Sequence, residues 1–138
     1  MQFTVRDWMI DVIVFVDPDT TVLEALALMR RRYIRSLIVN KNETNPEYGI
    51  ITSTDVSDKI VALQRNPTDV TVSEIMTSPL ITIDHDVQIY DCAKMMKENH
   101  IHHMPVTSAE GEIMGMISAT DFLVVAEAMG QLPGQRIT

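Results

Sequence analysis

A chain of 138 residues with 46% hydrophobic side chains is long enough to bury one core, or two small half-domains that share one. A net charge of -8 argues against nucleic acid and anionic lipid as partners, because binding by counterion release needs many Lys and Arg facing the phosphates. No run approaches the roughly 18 apolar residues of a membrane-spanning helix, no signal-peptide pattern opens the chain, and the single Cys92 permits no internal disulfide, so a cytoplasmic chain without membrane insertion is expected.

From the N-terminus, Thr4-Val-Arg-Asp-Trp-Met9 leads into an extended apolar stretch, Val12 to Val16, which reads as a strand. An Asp-rich turn follows, and Thr21 with Glu24 has the spacing of a capping box. Val22, Ala25, Leu26 and Met29 then mark one face of a helix, which ends in Arg30, Arg31 and Arg32, where cations oppose the helix dipole. Arg35 lies beyond that turn and calls for another explanation. Two β-rich runs come next, Ile34 to Val39 and Tyr48 to Ile51, with a polar loop between them that suits a hairpin. A second helix is predicted near Thr54. Gln64 to Asp69, with Asn66-Pro67, is a connecting stretch that does not continue a helix comfortably.

The same order then recurs. Shifted by 67 residues, Thr4–Val39 lies over Thr71–Val106 without a gap, with eight of 36 positions identical. Asp17 and Asp19 fall on Asp84 and Asp86, while Met29 and Ile34 fall on Met96 and Ile101. After a one-residue change in loop length, Gly49-Ile-Ile-Thr-Ser-Thr-Asp55 lies over Gly115-Met-Ile-Ser-Ala-Thr-Asp121, with four of seven identical. The second copy predicts strands at Leu80–Ile83, Met104–Val106 and Ile113–Ile117, a helix with Ile89, Cys92, Ala93 and Met96 inward, and a last helix from Thr120. The predicted fold class is therefore α+β, with β-α-β-β-α repeats at 1–66 and 67–130 and a tail at 131–138. A copy of about 60 residues has a marginal core alone, so the two sheets are expected to pack together with pseudo-twofold symmetry. Cys92 and the methionines read as core filling.

Chemistry is concentrated at the two strand-to-helix corners. Thr52-x-x-Asp55 and Ser118-x-x-Asp121 have the spacing of helix caps, which is the plain reading. The same geometry also offers an anion the free N–H groups of a helix start, a Thr52 or Ser118 hydroxyl, and a glycine that lets a ligand come close. Asp55 or Asp121 can then accept bonds from both hydroxyls of a ribose. Sugar with phosphate means nucleotide, and a carboxylate beside a phosphate requires nearby cations. Arg35 and His102 hold equivalent places ahead of the middle strands and can supply them, the histidine more strongly when protonated, so that affinity rises as pH falls. His100, His102 and His103 also suit a polar strand edge or a metal. Residues 100 and 102 share a strand face, but two imidazoles are too few, so no metal site is assigned.

With these residues in place, the chain resembles the tandem cystathionine β-synthase (CBS) domain pair, or Bateman module, from Thr4 to about Ala128. The resemblance rests on Val5-x-Asp7-x-Met9 and Val72-x-Glu74-Ile75-Met76, on His103-Met-Pro105-Val, and on the two G-h-h-[ST]-x-x-D corners. It implies a regulatory module that senses an adenosine nucleotide (AMP, ADP, ATP or S-adenosylmethionine), with ribose contact by Asp55 and Asp121. Phosphate contact is implied for Thr52, Ser118, Arg35, His102 and His103, and base slots at Val12, Ile13 and Val14 and at Pro79, Leu80 and Ile81. It further implies a homodimer, an unidentified effector protein as listener, no required cofactor and no catalytic residue. The first copy departs from the family pattern at Ile38, where a proline is usual, and at Asp11-Val12, where the second copy has Ser78-Pro79; His85 replaces a common proline in the second. The rival readings are a ligand-free dimerisation scaffold, in which the corners merely cap helices, and a nucleotide-processing enzyme, which would need a nucleophile beside a base.

Overall fold

The computed structural model describes residues 3–131, so the tail expected from residue 131 falls, beyond Gln131, outside the described residues. In chain order the elements are α1 (Val5–Trp8), β1 (Phe15–Val16), α2 (Val22–Arg32), β2 (Ser36–Val39), β3 (Gly49–Thr52), α3 (Ser53–Val56), α4 (Val72–Ile75), β4 (Ile83–Asp84), α5 (Ile89–Asn99), β5 (His103–Thr107), β6 (Ile113–Ser118) and α6 (Asp121–Gly130). Helix α3 runs on into a π-helical turn, Ser57–Val61. The chain divides into a middle unit, Ile13–Leu80, and an outer unit that joins the residues up to Val12 with those from Ile81 onward.

Each unit is a three-stranded sheet with its own helices, and the two share one topology. In the middle unit β1 runs parallel to β2, and β2 pairs antiparallel with β3, Ser36 opposite Thr52 and Val39 opposite Gly49. In the outer unit β4 runs parallel to β5, and β5 pairs antiparallel with β6, His103 opposite Ser118. The first strands are shorter than their apolar runs predict: of Val12 to Val16 only Phe15–Val16 is ladder, and the strand expected at Leu80–Ile83 begins at Ile83. Apolar composition marked these stretches without saying how far a neighbour accompanies them.

Helix α2 starts as expected, with the Thr21 hydroxyl accepting from the Glu24 N–H at 3.1 Å. Val22, Ala25 and Met29 are buried along one face, as are Ile89, Cys92 and Met96 on α5. Both helices stop in the same way. Tyr33 and His100 take φ of 54°, and the next N–H, of Ile34 or Ile101, reaches back to Met29 O or Met96 O at 3.0 Å.

Sequence copy and packing unit do not coincide, because each copy's opening segment packs on the other copy's sheet. Val5 N–H donates to Val87 O at 2.9 Å, Arg6 N–H donates to His85 O, and Ile10 bridges Met116. Sixty-seven residues later, Val72 N–H donates to Thr20 O at 2.8 Å, Ser73 N–H to Pro18 O, and Thr77 bridges Ile50. Val5 is thus buried in the outer core with Ile89, Met104, Val106 and Ile117, and Val72 and Ile75 in the middle core with Val22, Leu37 and Ile51.

The exchange accounts for the corner glycines. A side chain at Gly49 would run into the Met76 side chain, and one at Gly115 into Met9 and the Ile10 carbonyl oxygen, 2.8 Å away. The space expected to admit a ligand beside each glycine is filled by the methionine that closes the partner copy's opening segment.

Candidate functional site

The capping reading is realised at the first corner, where Thr52 is the N-cap of α3 and Asp55 its boxed acid; α6 begins at Asp121 behind Thr120 without a side-chain cap bond, although Asp121 still closes back onto Ser118. At the first corner the Asp55 carboxylate accepts from Thr52 N–H at 3.0 Å and from the Thr52 hydroxyl at 3.3 Å, both on Oδ2. At the second, Asp121 Oδ2 accepts from Ser118 N–H at 2.8 Å and from the Ser118 hydroxyl at 3.1 Å. Ser118 is buried, and its hydroxyl also lies 2.9 Å from that of Thr120. Each acid therefore satisfies the last N–H of a strand as the chain turns into a helix.

The other oxygen of each carboxylate distinguishes the copies. Asp55 Oδ1 accepts from Lys59 Nζ and from the Thr77 hydroxyl, each at 2.9 Å, and Asp55 is only 6% exposed. Lys59 Nζ also donates to Ile75 O at 2.8 Å. Asp121 is half-buried, and among the described residues its Oδ1 takes no hydrogen bond.

The expected cations flank the corners. Arg35 is exposed and immediately precedes Ser36, whose ladder partner is Thr52. His102 is exposed and tied to the second corner through its carbonyl, which accepts from Ala119 N–H at 2.9 Å, and half-buried His103 sits opposite Ser118 in the ladder. A cavity of about 370 Å³ opens there, lined by Ala93, Met96, Ile101, Ala119 and Phe122 together with Lys97, His100 and His102; Ser118, Asp121 and His103 lie outside this lining. That volume lies within the range of small-molecule sites, and a lining that joins Lys97 and two imidazoles to apolar side chains suits an organic anion.

The expected base slots fall where the chain passes between units. Val12 belongs to the outer unit and Ile13 and Val14 to the middle one; Pro79 and Leu80 belong to the middle unit and Ile81 to the outer. Val12 is 50% exposed and Ile81 37%, whereas Val14 packs against the middle core. Apolar surface thus remains available at Val12 and Ile81 but is partly used for packing at Val14.

Sequence reasoning missed Lys59 and Thr77. At the repeat offsets they correspond to Val125 and Ile10, so the signal was a polar residue in one copy standing where the other has an apolar one. Among the described residues no group of three His, Cys, Asp or Glu is placed to hold a metal ion, and no helix is long and apolar enough to cross a membrane.

Comparison with known proteins agrees with this architecture. The family model for the CBS domain matches twice, at residues 5–62 and 72–127. The uncharacterized protein MK0525 of Methanopyrus kandleri is 32% identical over 108 residues, which are 78% of this chain and 55% of that protein. The chain spans about half the length of curated relatives that it matches. Among solved structures, the hexameric CBS-CP12 protein from bloom-forming cyanobacteria superposes with a TM-score of 0.85 at 26% identity, covering 99% of this chain and 74% of that one. The CBS domain pair of protein MJ0100, in complex with 5-methylthioadenosine and S-adenosyl-L-methionine, superposes with a TM-score of 0.75 at 24% identity, over 89% of this chain and 98% of that one.

Proposed function

The chain belongs to the CBS domain family, carrying the domain twice, and from that premise we propose that it is a regulatory module that binds an adenosine nucleotide and passes its occupancy to a partner protein. The observation that carries this reading is the second corner. Among the described residues Asp121 there keeps one carboxylate oxygen without a hydrogen bond, and its neighbours Ala119 and Phe122 line a cavity that His100, His102 and Lys97 line as well. In this reading a ribose diol donates to Asp121 Oδ1, and the anionic tail lies against the Ser118 hydroxyl and the His102 and His103 imidazoles.

The ligand acts by population shift, favouring the arrangement in which these contacts form, and no bond is broken. Assembly as a homodimer and an effector protein as listener belong to the same proposal. The adenosine compounds bound by the MJ0100 pair support the ligand class.

The test is a thermal-shift panel of AMP, ADP, ATP and S-adenosylmethionine. At 100 times Kd a ligand adds about 2.7 kcal/mol of stability, which for a chain of this length raises Tm by several degrees. The rise is expected for at least one compound and is expected to disappear in Asp121→Asn. A flat response to all four at millimolar concentration would favour the scaffold reading.

A further inference from the structure

We infer that the two corners have separate jobs: the middle unit supplies its own permanent ligands to Asp55, and Asp121 is the acceptor left for a nucleoside diol. The division rests on the nucleotide reading for its ligand half and on hydrogen-bond geometry for the rest. A carboxylate offers roughly four lone-pair positions. At Asp55 four donors take them: Thr52 N–H, the Thr52 hydroxyl, the Thr77 hydroxyl and the Lys59 ammonium.

For a ribose to enter, two neutral hydroxyls would have to replace an ammonium and a hydroxyl at an acid that is 6% exposed. The exchange replaces an ion pair by a bond from a neutral donor and takes Lys59 away from Asp55 while Ile75 O still holds it. The arrangement is also mechanical. Lys59 and Thr77 tie α3 and its π turn to the end of α4 and to the second residue beyond it, which closes the exchanged segment onto the middle unit.

In the outer unit both closing groups are missing by sequence. Ile10 makes the same backbone bridge as Thr77 but has no hydroxyl, and Val125, at the place of Lys59, is buried in the core. Asp121 thus keeps the two bonds from the residue that ends the strand and lacks the locking half. One nucleoside per chain follows.

Two measurements on the full chain test the division. Without ligand, Asp55→Asn is expected to lower Tm by roughly 5–10 °C, and Asp121→Asn by no more than about 2 °C. Lys59→Met is expected to repeat the loss should Asp55→Asn fail to fold. Equal losses at the two aspartates would overturn the lock, whatever binds. By calorimetry, ADP is expected to bind with one equivalent per chain, and Asp121→Asn is expected to weaken it at least tenfold. Lys59→Met, measured where it is folded, is expected to keep one equivalent with affinity within about twofold. Two ADP equivalents in the unmodified chain, or loss of ADP binding in Lys59→Met equal to that in Asp121→Asn, would overturn the assignment of the open acceptor. No ADP uptake by a chain that still shows the unequal Tm losses would reject the nucleotide reading and leave the lock standing.

Discussion

Substituting the two corner glycines separates a clash with a side chain from a clash with backbone. The three atoms nearest a Cβ at Gly49 all belong to Met76, with Met76 Cβ at 3.3 Å, whereas at Gly115 they include the Met9 side chain and the Ile10 carbonyl oxygen at 2.8 Å. That carbonyl accepts from Met116 N–H, so it cannot retreat without opening the bridge that holds the N-terminal segment to β6. Overpacking at a tight site costs about 1–3 kcal/mol, and at this chain length each kcal/mol lowers Tm by about 3–4 °C. Both alanine substitutions should therefore destabilise, and a double-mutant cycle distinguishes them. In a Met76→Ala background Gly49→Ala should cost less than about 0.5 kcal/mol, because the two nearest conflicting atoms, Met76 Sδ and Cγ, are gone. In a Met9→Ala background Gly115→Ala should keep at least half its cost. Urea denaturation of the two cycles gives the coupling energies. Equal relief at both glycines, or none at Gly49, would refute the claim that the opening segments are what the glycines accommodate.

Two further outcomes follow from single groups. Burial pushes the Cys92 thiol up to about 11, and its side chain is fully enclosed, so a disulfide reagent at pH 8 should label the native protein far more slowly than the urea-unfolded chain. Rapid native labelling would place Cys92 outside the α5 core. Glu74 is held below its ordinary value of 4.5, first by the Thr71 N–H and more weakly by the Thr71 hydroxyl and Arg65, against an opposing desolvation effect. Its folded-state pKa is depressed, so its contribution is present above the unfolded value and lost as pH falls through the folded one. The Tm gap between the unmodified chain and Glu74→Gln should be widest near neutrality and close as pH falls below 4.5 and through the depressed folded-state value. A gap independent of pH would mean that the charge on Glu74 plays no part.

Much of the architecture could be read from residue pattern because local rules agreed with one another. Thr21 with Glu24 marked a helix start, Val22, Ala25 and Met29 marked its buried face, and their echoes at Ile89, Cys92 and Met96 marked a second copy. The pairing of each corner hydroxyl with its acid was legible for the same reason, since partners three residues apart are fixed by local geometry, but only at Thr52 does the hydroxyl residue also cap the helix.

What stayed hidden depends on contacts across long stretches of chain. Nothing in Thr4–Met9 announces that Val5 will bond to Val87 rather than to its own copy, because a repeat shows what is alike and not which copy holds which. The same limit concealed the filling of the space beside Gly49 by Met76, and the Thr77 hydroxyl reaching back 22 residues to Asp55. The register of the short first strands was blurred too: Val12 to Val14 are apolar enough for a strand, yet the ladder starts only at Phe15.

The most direct test is a co-crystal structure with whichever adenosine compound raises Tm most. The account predicts both ribose hydroxyls within hydrogen-bond distance of the Asp121 carboxylate, the anionic tail against His102, and Asp55 still bonded to Lys59 and Thr77. Density for the nucleoside on Asp55 with the Lys59 contact broken, or a bound nucleotide that leaves Asp121 bonded to Ser118 alone, would contradict it.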